Sequence, residues 1–227
     1  MNQLDKNTVK ADRQLLPSQY VSFPTALRDG LRVLFVGNSI TRHGIRPEIG
    51  WTRDCGMAAS ERSKDYVHLV MQTLADARIP ACGCIAQVAQ WERHYADGRT
   101  LLNLFQTARL FHPDIIVWRA IENCPGAEFD ATAFTDNCRA LVDWLNEDGH
   151  ARCIWTTSFW KHPGDPAIRA LAESRREPLI ELGDLGELDE MKAIGLFAHS
   201  GVANHPGDRG MLEIAHRICA VLLPMIQ

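Results

Sequence analysis

Three polar residues occupy positions from which their side chains could carry out acyl transfer. Ser39 lies in the small-residue turn Gly37-Asn38-Ser39-Ile40-Thr41, directly after an apolar run. Asn123 follows a later apolar run, and His205 lies in a loop with proline and glycine, just ahead of an amphipathic segment. A hydroxyl nucleophile, an amide donor and an imidazole base are the three groups that acyl transfer needs. Their combination predicts an acyl-transfer site.

Each residue taken alone also has an ordinary explanation. Ser39 could cap the segment that follows it, and Asn123 could be a loop or cap residue. His205 is one of nine histidines, and most histidines have no catalytic role. The prediction therefore depends on the three residues together and on their order along the chain.

The elements that must position these residues are predicted as repeated β-α units from Leu31 onward. Short apolar runs alternate there with amphipathic segments, which is typical of a parallel sheet covered by helices. Ligand sites in such sheets lie beyond the carboxyl ends of the strands. We predict strands at residues 32–36, 79–88, 114–119, 152–157 and 178–182, and helices at 66–78, 131–147 and 211–223, with Gly149 and Pro224 as stop signals.

Length and composition favour a single soluble domain. The 227 residues divide into a polar N-terminal arm, residues 1–30, and one domain, residues 31–227. A net charge of -4 disfavours nucleic acid and anionic membranes as partners. The first residues lack a cationic and apolar signal segment, so we expect a cytoplasmic protein. The seven cysteines lie mostly in apolar runs without paired ligand spacing, which predicts buried thiols and no metal site.

Three blocks of this sequence resemble the SGNH (GDSL-like) hydrolase superfamily. Residues 37–41 are similar to its G-D/N-S-x-T block, and Ile121-Glu122-Asn123 is similar to its G-x-N block. His205-Pro206, with Gly210-Met211 after it, resembles its terminal D-x-x-H-P block. The resemblance spans about residues 31–222. It implies an α/β fold, a three-layer α/β/α sandwich with a five-stranded parallel sheet of the flavodoxin-like type.

The same resemblance assigns roles to the three residues. It implies that Ser39 is the nucleophile and that His205 is first the general base and then the general acid. The oxyanion would be held by the Ser39 N–H and by the Asn123 side chain. Preorganised donors of this kind stabilise the transition state without reorganisation.

The sequence departs from the family pattern at the acid of the triad. The position three residues before the histidine is Val202, which has no carboxylate. A backbone carbonyl can also hold an imidazole, and some carbohydrate esterases of the superfamily resemble this arrangement by working as a Ser-His dyad. Asp208 and Glu122 are alternative acids. We favour the carbonyl, because Asp208 lies where it could cap the last helix.

A second departure concerns the oxyanion donors. Ile121 replaces the glycine of the third block, and no glycine is evident after the second predicted strand. Gly56, in a small-residue stretch after the nucleophile, is the candidate for a third donor, although it could equally be a turn glycine.

Aromatic and cationic residues near the predicted site suggest contacts with a substrate. Trp160 follows the fourth strand and could stack on a sugar ring or simply pack in the fold. Arg42, His43 and Arg46 could meet an anionic substituent or form a solvated charge cluster.

The expected function is removal of a small acyl group, with acetyl as the leading candidate, from a carbohydrate or related polyol ester. No metal or organic cofactor is required, and the partner is a small-molecule or carbohydrate ester. A lysophospholipase or thioesterase acting on longer chains is one alternative. A binding protein that has lost catalysis on the same scaffold is another. The oligomeric state is left open.

Overall fold

One six-stranded sheet forms the centre of the computed structural model, which describes residues 20–226. The sheet order is β1-β3-β2-β4-β5-β6. The strands are β1 (Val21–Ser22), β2 (Leu31–Gly37), β3 (Ala81–Gln87), β4 (Ile115–Arg119), β5 (Arg152–Thr156) and β6 (Leu179–Ile180).

The five predicted strands are present, and all five pair in parallel. Taken alone, they follow the doubly wound order 2-1-3-4-5. The sixth strand, β1, was not predicted. It lies within the predicted arm, where Val21 pairs antiparallel with Ala86 of β3. Residues 1–19 of that arm lie outside the described residues.

Helices cover both faces of the sheet, so the domain has three layers. α1 and α7 pack on one face, and α4 and α5 pack on the other. The helices are α1 (Tyr66–Asp76), α2 (Ala89–Arg93), α3 (Gln106–Arg109), α4 (Ala131–Leu145), α5 (Asp165–Arg175), α6 (Ser200–Ala203) and α7 (Asp208–Ile226). Short 3₁₀ helices span Pro47–Ile49, Arg62–Lys64, Tyr95–Phe105, Leu185–Glu187 and Asp189–Met191.

Strand β4 shows why the sequence folds into these layers. Successive side chains of a strand point to opposite faces, and every residue of β4 is buried. Ile115 and Val117 pack in the core beneath α1 and α7, whereas Ile116 and Trp118 pack beneath α4 and α5. A strand that is buried on both faces is largely apolar, as residues 115–118 are, and Arg119 at its end is the exception.

Helix α7 extends further than predicted. The predicted stop at Pro224 was wrong, because the helix continues through it to Ile226. A proline so close to the end removes few hydrogen bonds, and Met225 and Ile226 still pack against the core. Within residues 20–226, no helix is both long and apolar enough to cross a membrane. The seven cysteines are buried and unbridged.

Candidate active site

The turn after β2 presents Ser39 at the carboxyl edge of the sheet. Its backbone is fixed because Thr41 N and Arg42 N both donate to Asn38 O, at 3.0 and 2.9 Å. The turn requires glycine at position 37, because a Cβ on that residue would lie 1.9 Å from Thr41 Oγ1. That hydroxyl pairs with the buried Tyr66 Oη at 2.8 Å and anchors the turn on α1.

His205 meets Ser39 across the edge of the sheet. The distance from Ser39 Oγ to His205 Nε2 is 2.8 Å. On the other side of the ring, Nδ1 lies 2.6 Å from the carbonyl oxygen of Gly201. Within residues 20–226, no carboxylate contacts the His205 ring. Val202, at the usual position of the acid, is a buried apolar residue.

The surroundings of His205 disfavour its charged form. The edge of the ring packs against Trp160, with 5.1 Å between the ring centroids. Burial lowers the pKa of His205 to about 4, and the bond to Gly201 only partly opposes this effect. The imidazole is therefore neutral at pH 7, as a general base must be.

A network of buried charges and amides lies beneath the nucleophile turn. Arg119, the last residue of β4, pairs with Glu122 at 2.7 Å, and both side chains are almost fully buried. Asn38 accepts from Arg119 at 2.5 Å and donates to Glu122 at 2.6 Å and to Glu92 at 2.9 Å. Glu122 also accepts from the backbone N–H of Phe159 at 3.0 Å, after β5. The network joins the loops that follow three adjacent strands.

The same network holds the Asn123 side chain. Its Nδ2 donates to Glu92 Oε2 at 2.6 Å, and its Oδ1 faces Arg93 Nη2 at 3.4 Å. An amide nitrogen carries two hydrogens, so one remains for a ligand after the bond to Glu92. Glu92 therefore fixes the direction in which Asn123 can donate.

The two carboxylates of the network differ in their protonation. Burial and the neighbouring Glu122 raise the pKa of Glu92 to about 7. Burial would also raise the pKa of Glu122, but Arg119 and the Phe159 N–H hold it below its usual range. Glu122 is thus the permanent counter-ion of Arg119, and Glu92 is the carboxyl group that titrates.

Gly56 does not serve as the expected third oxyanion donor. Its N–H donates to the buried carboxylate of Asp65 at 3.1 Å. The glycine is needed for packing, because a Cβ would lie 2.6 Å from the Ile40 carbonyl oxygen and 2.9 Å from Asp65 Cβ. The small-residue stretch reflects this close approach of two chain segments.

Neither alternative acid reaches His205. Asp208, the first residue of α7, accepts from Ser60 N at 2.7 Å and from Ser60 Oγ at 2.6 Å, and it pairs with Lys64 at 3.2 Å. Glu122 is committed to Arg119 and Asn38. Trp160, the predicted substrate contact, packs against the histidine instead of lining the pocket.

Ser39, Asn123 and His205 line one pocket of about 400 Å³. The sequence predicted that these three residues share one site, but it did not predict three others that build the site: Glu92, Arg93 and Arg119. Arg119 carried a visible signal, because it is a charged residue at the end of an apolar strand and buried charges need partners. Glu92 gave no such signal in the sequence, because it lies in a short segment beside other polar residues.

Solved structures with this arrangement of elements are known. No protein-family profile and no curated protein matches the chain by sequence. The psychrotrophic esterase EstA from Pseudoalteromonas sp. is 11% identical, with a TM-score of 0.56 over 86% of this chain and 98% of that one. A member of the lipolytic protein G-D-S-L family from Veillonella parvula is 12% identical, with a TM-score of 0.54 over 85% and 98%.

A third similar structure is a two-domain esterase active on acetylated mannans. It is 14% identical, with a TM-score of 0.55 over 86% of this chain and 50% of that chain. At these identities the likeness establishes the fold.

Substitution Glu122→Gln should strongly destabilise the protein, because it leaves the buried Arg119 charge without its counter-ion. We expect a loss of about 3 kcal/mol or more in the free energy of unfolding, measured by urea denaturation. Asp208→Asn is the matched control, since that carboxylate is partly exposed, and it should cost about 1 kcal/mol or less. Equal stability of the two variants would contradict the structural role of Glu122.

Proposed function

We propose that this chain, which has the fold of the SGNH hydrolases, is a serine esterase that removes a small acyl group, acetyl in the leading case, from a carbohydrate or related polyol ester. The reaction would use a Ser39–His205 dyad. The observation that carries the proposal is the chain of contacts from Ser39 Oγ through the His205 ring to the Gly201 carbonyl.

The contacts of His205 indicate its tautomer. A carbonyl oxygen can only accept, so Nδ1 carries the proton and Nε2 has the free lone pair. That lone pair faces the Ser39 hydroxyl, whose proton it takes as the oxygen attacks the ester carbonyl. The imidazolium then protonates the leaving alcohol. In the second half of the cycle, the same nitrogen activates the water that hydrolyses the acyl-enzyme.

The negative charge that develops on the carbonyl oxygen needs donors in place before the reaction. The Ser39 N–H and the second Nδ2 hydrogen of Asn123 are the proposed donors. Asn123 is suited to this because Glu92 and Arg93 already contact its amide on both atoms. Rigid donors of this kind contribute through preorganisation.

The pocket supports a small acyl group and a polar alcohol. Its wall is rich in polar side chains, including Gln87 and Gln90, and its volume of about 400 Å³ is modest. One protein of the same fold is described as active on acetylated mannans. A rate that peaked at acyl chains of eight carbons or more, in a series of 4-nitrophenyl esters, would favour the lysophospholipase or thioesterase alternative.

Substitution Ser39→Ala should abolish hydrolysis of 4-nitrophenyl acetate, because the hydroxyl is the attacking group. It should change stability by less than about 0.5 kcal/mol, since it removes one oxygen at a cleft. A fluorophosphonate should label Ser39 in the wild-type protein and leave the variant unlabelled, as measured by intact mass. Absence of both labelling and turnover in the wild type would support the non-catalytic binding protein instead.

Substitution Asn123→Ala should lower kcat by about 10²-fold or more, with a smaller effect on KM, because an oxyanion donor acts mainly in the transition state. Steady-state kinetics on the same ester measure both constants. If KM rose while kcat stayed constant, Asn123 would be a substrate-binding residue and the donor would lie elsewhere.

The pH dependence of kcat/KM should reflect a histidine without a carboxylate partner. Protonated His205 cannot accept the Ser39 proton, so activity should fall with acid through its pKa of about 4. Below about pH 6.5 the unfolded chain binds a proton that the folded histidine does not. The free energy of unfolding therefore decreases as the pH falls from about 6.5 to about 4. Rates should therefore be measured in short pH jumps, with folding monitored by circular dichroism.

Glu92 supplies the control for that profile, since its pKa of about 7 lies in the range of an ordinary histidine. An activity limb near pH 7 that disappears in Glu92→Gln belongs to Glu92. A limb near pH 7 that persists in this variant would contradict the lowered pKa of His205 on which this prediction rests.

A further inference from the structure

The wall of the active-site pocket is positively charged. Among the described residues that line it, Arg46 and Arg93 carry the positive charge, and none of the lining residues is Asp or Glu. The whole chain has 28 acidic and 24 basic residues, a net charge of -4, so the pocket has the opposite sign to the protein around it. A cleft lined by charges of one sign concentrates ligands of the other sign.

Arg93 ends α2 beside the proposed oxyanion donor. Its side chain is exposed, and its contact with the protein is the Asn123 amide oxygen at 3.4 Å. Within residues 20–226, no carboxylate lies within ion-pair distance of Arg93. A guanidinium presents five N–H donors in a planar fork suited to carboxylate, sulfate or phosphate groups. Most of these donors remain for a ligand.

Arg46 lines the same pocket from the loop that follows the turn carrying Ser39. Its only carboxylate partner within the described part of the chain is the exposed Glu48, at 2.9 Å. His43 lines the pocket together with both arginines. Burial lowers the pKa of His43, and the charges of Arg46 and Arg93 lower it further. Arg42, by contrast, pairs with Asp54 and does not line the pocket.

We infer that the substrate is an ester with a negatively charged group a few bonds from the scissile carbonyl, and that Arg93, with Arg46, binds this group. The inference rests on the proposed ester hydrolysis by Ser39. The charge could be carried by the alcohol, as in an acidic sugar, or by the acyl group. Both sources present the same anionic oxygens to the arginines, and matched esters distinguish them.

The experiment compares esters that differ by one carboxylate. For the alcohol arm, 3-carboxy-4-nitrophenyl acetate is compared with 4-nitrophenyl acetate. For the acyl arm, the 4-nitrophenyl monoester of succinic acid is compared with 4-nitrophenyl butyrate. In at least one arm, the wild-type ratio of kcat/KM, anionic over neutral, should exceed that of Arg93→Gln by about fivefold to tenfold. The ratio cancels effects that Arg93 exerts on both esters through Asn123.

Three further measurements sharpen the result. Arg93→Lys should keep part of the preference, because it retains the charge and loses the fork. Arg99→Gln, an exposed arginine outside the pocket, should leave the ratio unchanged. Raising the salt concentration to 1 M should reduce the preference in the wild type, because an exposed pair is screened.

The outcomes separate the inference from the proposed function. If the wild type hydrolyses the neutral esters through Ser39 but Arg93→Gln gives the same ratio in both arms, the anionic-substrate inference is overturned and the esterase proposal stands. If no ester is hydrolysed and Ser39 is not labelled by a fluorophosphonate, the proposed function fails, and this inference fails with it.

Discussion

The ion pair between Arg119 and Glu122 is the contact on which the geometry of the site depends. Both groups are buried, so the free energy of removing them from water must be offset by close pairing and by further hydrogen bonds, although Arg119 Nε has no partner among the described residues. Asn38 and the Phe159 N–H provide part of that hydrogen bonding. Asn38 follows β2 and Phe159 follows β5, whereas Arg119 is the last residue of β4. Satisfying one buried pair therefore fixes the carboxyl ends of three strands, including the turn that carries Ser39.

The fold could be predicted because apolar runs and their spacing report burial directly. The parallel strands and the positions of Ser39, Asn123 and His205 after or between elements depend on local patterns of this kind. Strand β1 has two residues and lies in the polar N-terminal segment, outside the alternating β-α pattern. The role of Gly56 depended on which acceptor its N–H would meet, and the partner, Asp65, becomes a neighbour only after the loop has folded. Local sequence patterns cannot predict contacts of this kind.

The geometry of a short helix explains how the histidine can be held without an acid. In a regular α-helical turn, the N–H of residue 205 would bond to the carbonyl of residue 201. Here the His205 N–H donates to Val202 O instead, at 3.0 Å. The Gly201 carbonyl is left for the imidazole of the same residue, at 2.6 Å. The end of α6 thus provides a neutral acceptor for the ring, and Val202, where the family resemblance implies a carboxylate, packs in the core.

The neutral acceptor favours the protonated histidine only weakly, and the cationic surroundings of the ring oppose protonation. Neither supplies negative charge to stabilise an imidazolium, and burial already holds the pKa of His205 to about 4. Negative charge on a bound substrate would increase the basicity of such a weakly basic imidazole. An anionic group bound in the pocket would add negative charge near the imidazole and raise its pKa in the complex. On the inference that the substrate is anionic, Arg93, which has no carboxylate partner within residues 20–226, would hold near His205 the negative charge that a triad carboxylate would otherwise supply.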